Sequence, residues 1–180
     1  MLYKIAIAIM LLPTLLSLGE DTVPQKIIDH LEGFTVIGIS VRTNNAKEQT
    51  PNRQIGKTWQ RITQEKFLDK IPNKTDKNII AVYTDYASDK DGDYTFILGA
   101  KVNSDKEIPA GMVAVKIPTG RYAKFTSEKG PAYKVVPEVW KRIWTTSAET
   151  RAYKTDFELY DQRATDPEKS QVDVYVGIKP

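Results

Sequence analysis

An internal repeat is the sequence feature that most constrains the fold of this chain. The segments WQRI (59–62) and WKRIW (140–144) contain all three tryptophans of the 180 residues. Each segment belongs to a stretch whose apolar residues recur at helical spacing, and each stretch is flanked by predicted strands in the same order. Two unrelated amphipathic helices with a chance motif are the alternative. The shared order of elements favours a duplication.

The first unit is predicted to run strand, helix, strand, strand over residues 30–103. FTVIGISVRT (34–43) is rich in β-branched residues and ends at an Asn-Asn turn signal, which predicts a strand. The segment IGKTWQRITQEKFLDK is expected to be the helix, and the strands NIIAVYTDY and YTFILGAKV follow it. Between these strands, DKDGD (89–93) carries an Asp-Gly signal and departs from the order of a calcium loop, so it predicts a hairpin.

The second unit repeats this order over residues 111–179. A strand is predicted in GMVAVKIPTGRYAKFT, with a break at 118–120 because proline cannot donate to a ladder. The helix VVPEVWKRIWTT and the strands DFELYD and QVDVYVGIK follow. Two βαββ units side by side predict an α+β fold, in which a mostly antiparallel sheet carries both helices on one region.

The N-terminus is typical of a secretory signal peptide over residues 1–19. One lysine precedes an apolar run from Ile5 to Leu18, and small residues precede the polar segment EDT. The run is shorter than the roughly 20 residues that span a bilayer as a helix. We therefore expect an exported protein, periplasmic or secreted, with a lead-in at 20–29. An uncleaved anchor, which would place the chain on a membrane, and a core helix are the alternatives.

Charge and cysteine content exclude several classes of function. The net charge is only +3, from 26 basic and 23 acidic residues that are interspersed, which does not predict a nucleic-acid surface. The chain has no cysteine, so disulfides, thiol nucleophiles and cysteine-based zinc sites are all excluded. No cofactor and no metal site is predicted.

Several segments resemble the GyrI-like small-molecule-binding domain, also called the AraC-type effector-binding domain. These segments are IPTGRYAKFTSEKGP, VPEVWKRIW, DFELYD and VDVYVGIK in the second unit, and GKTWQRI with the AVYTDY to YTFILGAKV hairpin in the first. The resemblance covers residues 30–179. It implies a pseudo-twofold domain of two βαββ units with a ligand cleft between them. The strand FELYD (157–161) looks like the pocket-glutamate strand of this family.

The resemblance also implies a choice of functions. Members sense ligands in transcription regulators, modulate DNA gyrase, bind lipophilic cations or, in some branches, hydrolyse cyclopropane-bearing toxins. Here no helix-turn-helix region precedes the domain and an export signal occupies the N-terminus. The expected protein is therefore a stand-alone, exported bacterial member that does not bind nucleic acid.

Glu158 is the central candidate for the site. Side chains alternate along a strand, so Glu158 and Tyr160 point to one face. A solvated acid on an open sheet face is the alternative from spacing alone. The resemblance places Glu158 in the cleft, where a desolvated carboxylate would be matched by a cationic ligand. Further aromatic candidates are Tyr83, Tyr160 and Trp140, with Tyr122, Tyr133 and Tyr175 as weaker ones.

The expected function is the binding of a small amphipathic or cationic ligand. Trp140 could equally be a core residue of its helix, and Trp59 and Trp144 are assigned to the core. In the alternative, a hydrolase, Glu158 acts as general acid or base and a tyrosine hydroxyl such as that of Tyr160 donates a proton. The sequence does not predict the oligomeric state.

Overall fold

The computed structural model describes residues 25–146 and 150–180, which form an eight-stranded antiparallel sheet with helices on one face. The first half contains β1 (Gln25–Leu31), β2 (Phe34–Thr43), α1 (Asn45–Glu48), α2 (Ile55–Glu65), a 3-10 helix (Phe67–Lys70), β3 (Ile79–Thr84) and β4 (Tyr94–Val102). The second half contains β5 (Val113–Ile117), β6 (Gly120–Thr126), α3 (Ala132–Thr146), β7 (Arg151–Tyr160), a 3-10 helix (Gln162–Ala164) and β8 (Asp173–Ile178). The predicted α+β fold is confirmed.

The strand order shows the duplication directly. The sheet runs β1-β6-β8-β7-β3-β4-β2-β5, and it reads the same from the other end when β1–β4 are exchanged with β5–β8. Each unit has one strand more than predicted, because β1 begins within the expected lead-in and the break at 118–120 separates β5 from β6. These two extra strands cross over: β1 pairs with β6, and β5 pairs with β2.

This exchange requires a strongly curled sheet. The strands β1 and β2 are joined by residues 32–33 alone, yet they stand six positions apart in the sheet. In a flat sheet that separation would be about 29 Å, whereas two residues link strands over only about 10 Å. The sheet closes until the link at 32–33 meets its counterpart between β5 and β6, where the Gly33 N–H donates to Thr119 Oγ1 at 2.9 Å. A Cβ at Gly33 would lie 2.8 Å from the Ile117 carbonyl oxygen, so this crossing needs glycine.

The curled sheet has two apolar faces. The inner face is covered by the sheet itself: Phe34 of β2 reaches Phe157 of β7, three strands away, with ring centroids 5.4 Å apart. Both long helices lie on the outer face, where Trp59 of α2 and Ile143 of α3 pack into one core. Glu158 belongs to the outer face, so the helices cover it.

The half-buried carboxylate of Glu48 fixes the start of α2. Gln54 makes no side-chain capping bond, and Glu48 takes this role by accepting from the N–H groups of Gln54 and Ile55 at 2.9 and 3.0 Å. The same carboxylate accepts from the Thr43 hydroxyl at the end of β2. Because α2 is held to the sheet in this way, Trp59 is presented one turn later toward the centre of the sheet.

The predicted signal peptide, residues 1–19, lies outside the described residues. Within the ranges 25–146 and 150–180, no helix combines the length and the apolar character needed to cross a membrane.

Candidate functional site

The strands β3 and β7 form the centre of the sheet, and their register is symmetric about one pair. Ala81 lies opposite Glu158, with Ile79 opposite Tyr160 on one side and Tyr83 opposite Asp156 on the other. The sequence repeat equates Ala81 with Glu158 and Tyr83 with Tyr160. The Ala81–Glu158 pair therefore lies on the pseudo-twofold axis, and it is the point where the two units differ most in chemistry.

Glu158 is buried and fully engaged by neutral donors. Its exposed fraction is 1%. Oε1 accepts from the Tyr83 hydroxyl at 2.8 Å and from the Trp140 indole N–H at 2.6 Å, and Oε2 accepts from the Tyr160 hydroxyl at 2.7 Å. We call these four residues the glutamate cluster. A solvated acid on an open face is thus not what the structure contains.

None of the three hydrogen-bond donors of Glu158 carries a positive charge that could balance the carboxylate. Burial raises the pKa of Glu158, and the three hydrogen bonds oppose this effect because they stabilise the ionised form. Burial and the adjacent carboxylate together raise the pKa of Tyr83 and of Tyr160 well above the usual value. Both hydroxyls therefore stay protonated and act as donors, and they bring no positive charge to Glu158.

Aromatic rings surround the glutamate cluster. The Trp140 ring lies 4.9 Å from that of Tyr83, and the Trp59 ring lies 4.7 Å from that of Tyr160. Tyr94 extends the wall, 5.6 Å from Tyr83. Trp59 packs against the core, as its helical spacing predicted, but the repeat could not show that its ring also contacts Tyr160.

The remaining tyrosine candidates do not join this cluster. Tyr122 lies on the inner face, where its hydroxyl donates to the Pro118 carbonyl at 3.1 Å and burial raises its pKa to about 12. Tyr175 stacks on Phe157 on the same inner face, with ring centroids 4.5 Å apart. Tyr133 is exposed on α3. The structure thus brings together Glu158, Tyr160, Tyr83 and Trp140, and it separates Tyr122 from them.

A second buried polar cluster lies two residues before Glu158 on the same face. Asp156 forms an ion pair with Arg151, and both side chains are at most 1% exposed. Asp156 also accepts from the Tyr86 hydroxyl and from the Gly177 N–H, each at 2.8 Å. Strand alternation could have indicated Asp156, but Arg151 lies beyond an irregularity in the pairing of β7 with β8, where Tyr153 has a φ of 50°.

The inner face has a cavity of its own, away from the glutamate cluster. Its volume is about 190 Å³, and Phe34, Lys101 and Tyr175 are among the residues that line it. The Lys101 ammonium lies 4.9 Å above the Phe34 ring. The cavity is therefore lined by both a cation, Lys101, and an anion, Asp76, whereas the three hydrogen-bond partners of Glu158 are all neutral.

Comparison with known proteins shows the family. The family model described as Cass2, integron-associated effector binding protein, matches residues 27–178. The chain is 38% identical over 154 residues to YobU of Bacillus subtilis (strain 168), which is provisionally named a transcriptional regulator; the match covers 84% of this chain and 96% of YobU. The chain belongs to this family of integron-associated effector binding proteins, and the resemblance to GyrI-like domains is confirmed.

Other relatives share the domain in different settings. The transcriptional regulator BrlR of Pseudomonas aeruginosa (strain PAO1) is 31% identical over 151 residues, which are 81% of this chain and 52% of BrlR. The integron cassette protein VCH_CASS2 of Vibrio cholerae has a similar structure, with a TM-score of 0.68 and 29% identity over 86% of this chain and 95% of that one. SAV2435, solved with tetraphenylphosphonium bound, has a TM-score of 0.67 at 21% identity, over 87% and 94% of the two chains.

Proposed function

We propose that the protein binds a small lipophilic cation at the glutamate cluster. The observation that carries this proposal is a single buried carboxylate whose three partners are neutral donors. A buried charge is costly without an opposite charge, and a cationic ligand supplies it. The surrounding rings of Trp59, Trp140 and Tyr83 would add cation–π attraction of about 0.5–2 kcal/mol each.

The likeness to SAV2435 supports the chemical class of the ligand. Tetraphenylphosphonium, the ligand of that structure, is a cation whose charge is enclosed by four aromatic rings. Such an ion is weakly hydrated, so it loses little on entering an aromatic site. It is therefore a suitable probe for this chain.

Entry of a ligand requires a side chain to move, and Trp140 is the best candidate. Glu158 is 1% exposed and Trp140 is 8% exposed; Tyr160 is more exposed than either, but its backbone is held in the sheet by pairing with β3. Trp140 belongs to α3, while the two tyrosine donors belong to the central strands. Displacing its indole removes one of three hydrogen bonds to Glu158 and uncovers the carboxylate. The cation then replaces the lost donor.

Two ions of the same shape and opposite charge test the proposal. Isothermal titration calorimetry should show saturable binding of tetraphenylphosphonium, and tetraphenylborate, added as its sodium salt in potassium-free buffer, should bind at least about 100-fold more weakly, because like charges in a desolvated site cost several kcal/mol. Equal affinities for the two ions would mean that the site selects apolar area alone. If neither ion binds, the glutamate cluster is not a ligand site.

The hydrolase alternative places a different demand on the site. A general acid or base must reach water or the substrate within hydrogen-bond distance. The 1% exposure of Glu158 and its three protein donors favour a binding role. Any natural ligand recovered chemically intact after incubation with the protein supports binding, and its conversion would support the hydrolase.

We also propose that the protein acts outside the cytoplasm. The support is the order of the first residues: a lysine, an apolar run from Ile5 to Leu18, and small residues followed by acids. Mass spectrometry of the protein from its native host should give a mature N-terminus at Glu20. Retention of Met1 in a soluble cell fraction would contradict export.

A further inference from the structure

Arg151 is a buried guanidinium with two unpaired nitrogens. Its Nη2 donates to Asp156 Oδ2 and, at 3.4 Å, lies near the Tyr86 hydroxyl. Its Nε and Nη1 are buried and have no hydrogen-bond partner among residues 25–146 and 150–180. A buried donor without an acceptor costs about 1–3 kcal/mol, and more when it is charged. Such unsatisfied groups are rare in folded proteins, so the missing acceptor needs an explanation.

Arg151 adjoins the glutamate cluster through a shared side chain. Its Cζ lies 5.7 Å from the centre of the Trp140 ring, and the indole N–H of Trp140 donates to Glu158. On another side the guanidinium lies 4.3 Å from the Tyr153 ring. Displacement of Trp140, the route of ligand entry proposed above, would therefore uncover Glu158 and the guanidinium of Arg151 together. The ligand that pairs with Glu158 would then lie beside Arg151.

The charges decide which acceptor fits. The positive charge of Arg151 is already balanced by Asp156, with which it forms the buried ion pair. Glu158 then carries the uncompensated charge, and a cationic ligand neutralises it. A carboxylate on the ligand would add a third anion beside Asp156 and Glu158, at a cost that grows as the dielectric constant falls. A neutral oxygen, such as that of an ester, ketone or amide, satisfies the donors without this cost.

We propose that the ligand is a lipophilic cation that carries an uncharged oxygen acceptor, which binds to Nε and Nη1 of Arg151 while the cationic centre lies at Glu158. This inference rests on the proposed function and narrows the ligand class. Arg151 would then make the affinity higher for a lipophilic cation with an oxygen acceptor than for one without it.

Three phosphonium ions test this assignment by calorimetry. They are tetraphenylphosphonium, its derivative with one para methyl ester, and its derivative with one para carboxylate. In the wild type the ester should bind about tenfold more tightly than the parent ion, as a hydrogen bond to a charged donor predicts. The carboxylate should bind more weakly than the ester. An ester-to-parent ratio near one in the wild type, or a preference for the carboxylate, would overturn the inference.

Variants assign the preference to Arg151. Arg151→Lys keeps a cation for Asp156 but loses the planar set of donors, so the ester-to-parent ratio should fall below about two. The double variant Arg151→Met/Asp156→Asn removes both charges and should give the same low ratio if Arg151→Lys folds poorly. Arg121→Lys, at an exposed ion pair on β6, is the matched control and should keep the tenfold ratio.

The outcomes are separable. A tenfold ratio that persists in both Arg151 variants would refute the role of Arg151 while leaving the proposed function intact. Failure of all three ions to bind the wild type would instead refute the proposed function, and this inference would fall with it.

Discussion

Replacement of Glu158 by glutamine should lower the affinity for tetraphenylphosphonium by at least about 100-fold, because truncating one partner of a buried, hydrogen-bonded charge pair costs about 2–5 kcal/mol or more. The substitution keeps the size of the side chain and removes only its charge. Isothermal titration calorimetry at neutral pH measures the change. A loss of less than about threefold would show that the cation does not pair with this carboxylate.

A matched control lies on the same helix that supplies Trp140. Glu138 is exposed on α3 and pairs with Lys141 at 2.8 Å. Glu138→Gln changes the net charge of the protein by the same amount as Glu158→Gln. Its affinity for the cation should stay within about twofold of the wild type, because exposed charges are screened by solvent and salt.

The unfolding temperature of Glu158→Gln shows whether a loss of affinity comes from the missing charge or from misfolding of the variant. Burial raises the pKa of Glu158 in the folded protein. The stability that this group contributes is therefore present below the pKa of an unfolded glutamate, about 4.3, and is lost as the pH rises through the higher folded value. Because its folded pKa is raised, this group costs stability at neutral pH, so Glu158→Gln should unfold at the same temperature as the wild type or a higher one.

The second large effect is expected from Asp156→Ala. This change leaves Arg151 as an unpaired buried cation and removes the acceptor of the Tyr86 hydroxyl and of the Gly177 N–H. Breaking a buried ion pair from one side costs about 3–5 kcal/mol. Urea denaturation should show a loss of this size in the free energy of unfolding.

Two further variants make this prediction specific to the buried pair. Asp29→Ala breaks the ion pair of Asp29 with Arg121, which is exposed, and should cost less than about 1 kcal/mol. The double variant Arg151→Met/Asp156→Leu removes both buried charges, so it should be more stable than Asp156→Ala alone. Equal costs for Asp156→Ala and Asp29→Ala would contradict the burial of this pair.

The difference between the two repeats at Ala81 and Glu158 leaves one carboxylate at the pseudo-twofold axis. Strict symmetry would place a second carboxylate at Ala81, directly opposite Glu158 across the axis. Two buried carboxylates at that distance could not both ionise. With alanine at one of the two positions, the glutamate cluster keeps a single carboxylate, as the proposed binding of a singly charged cation requires.

Local patterns predicted much of this architecture. Helical spacing around Trp59 and Trp140 predicted both long helices, and their alignment predicted the equivalence of Ala81 and Glu158. The shared face of Glu158 and Tyr160 followed from alternation within one strand. These features depend on neighbours in sequence, which is why they could be read without the fold.

Features that depend on contacts between distant segments were not predictable. The crossing of β1 and β5 into the opposite unit is a choice of pairing partner, and no local pattern in QKIIDHL or VAVKI specifies it. Tyr122 was a candidate as an aromatic residue, and the break at 118–120 hides which face of the sheet its strand turns to the helices. The irregularity in strand pairing between Arg151 and Asp156 likewise made the ion pair of these two residues unpredictable from sequence spacing.

The ionisation of Glu158, measured with and without ligand, is the most direct test of a carboxylate-centred cation site. Carbon-13 NMR of glutamate side-chain carboxyls can follow it, with Glu158→Gln assigning the resonance. The pKa of Glu158 should lie above the ordinary value in the free protein and should fall when tetraphenylphosphonium saturates the site, because the cation binds the ionised form more tightly. A pKa that is the same in both states, or that rises on binding, would contradict pairing between the cation and this carboxylate.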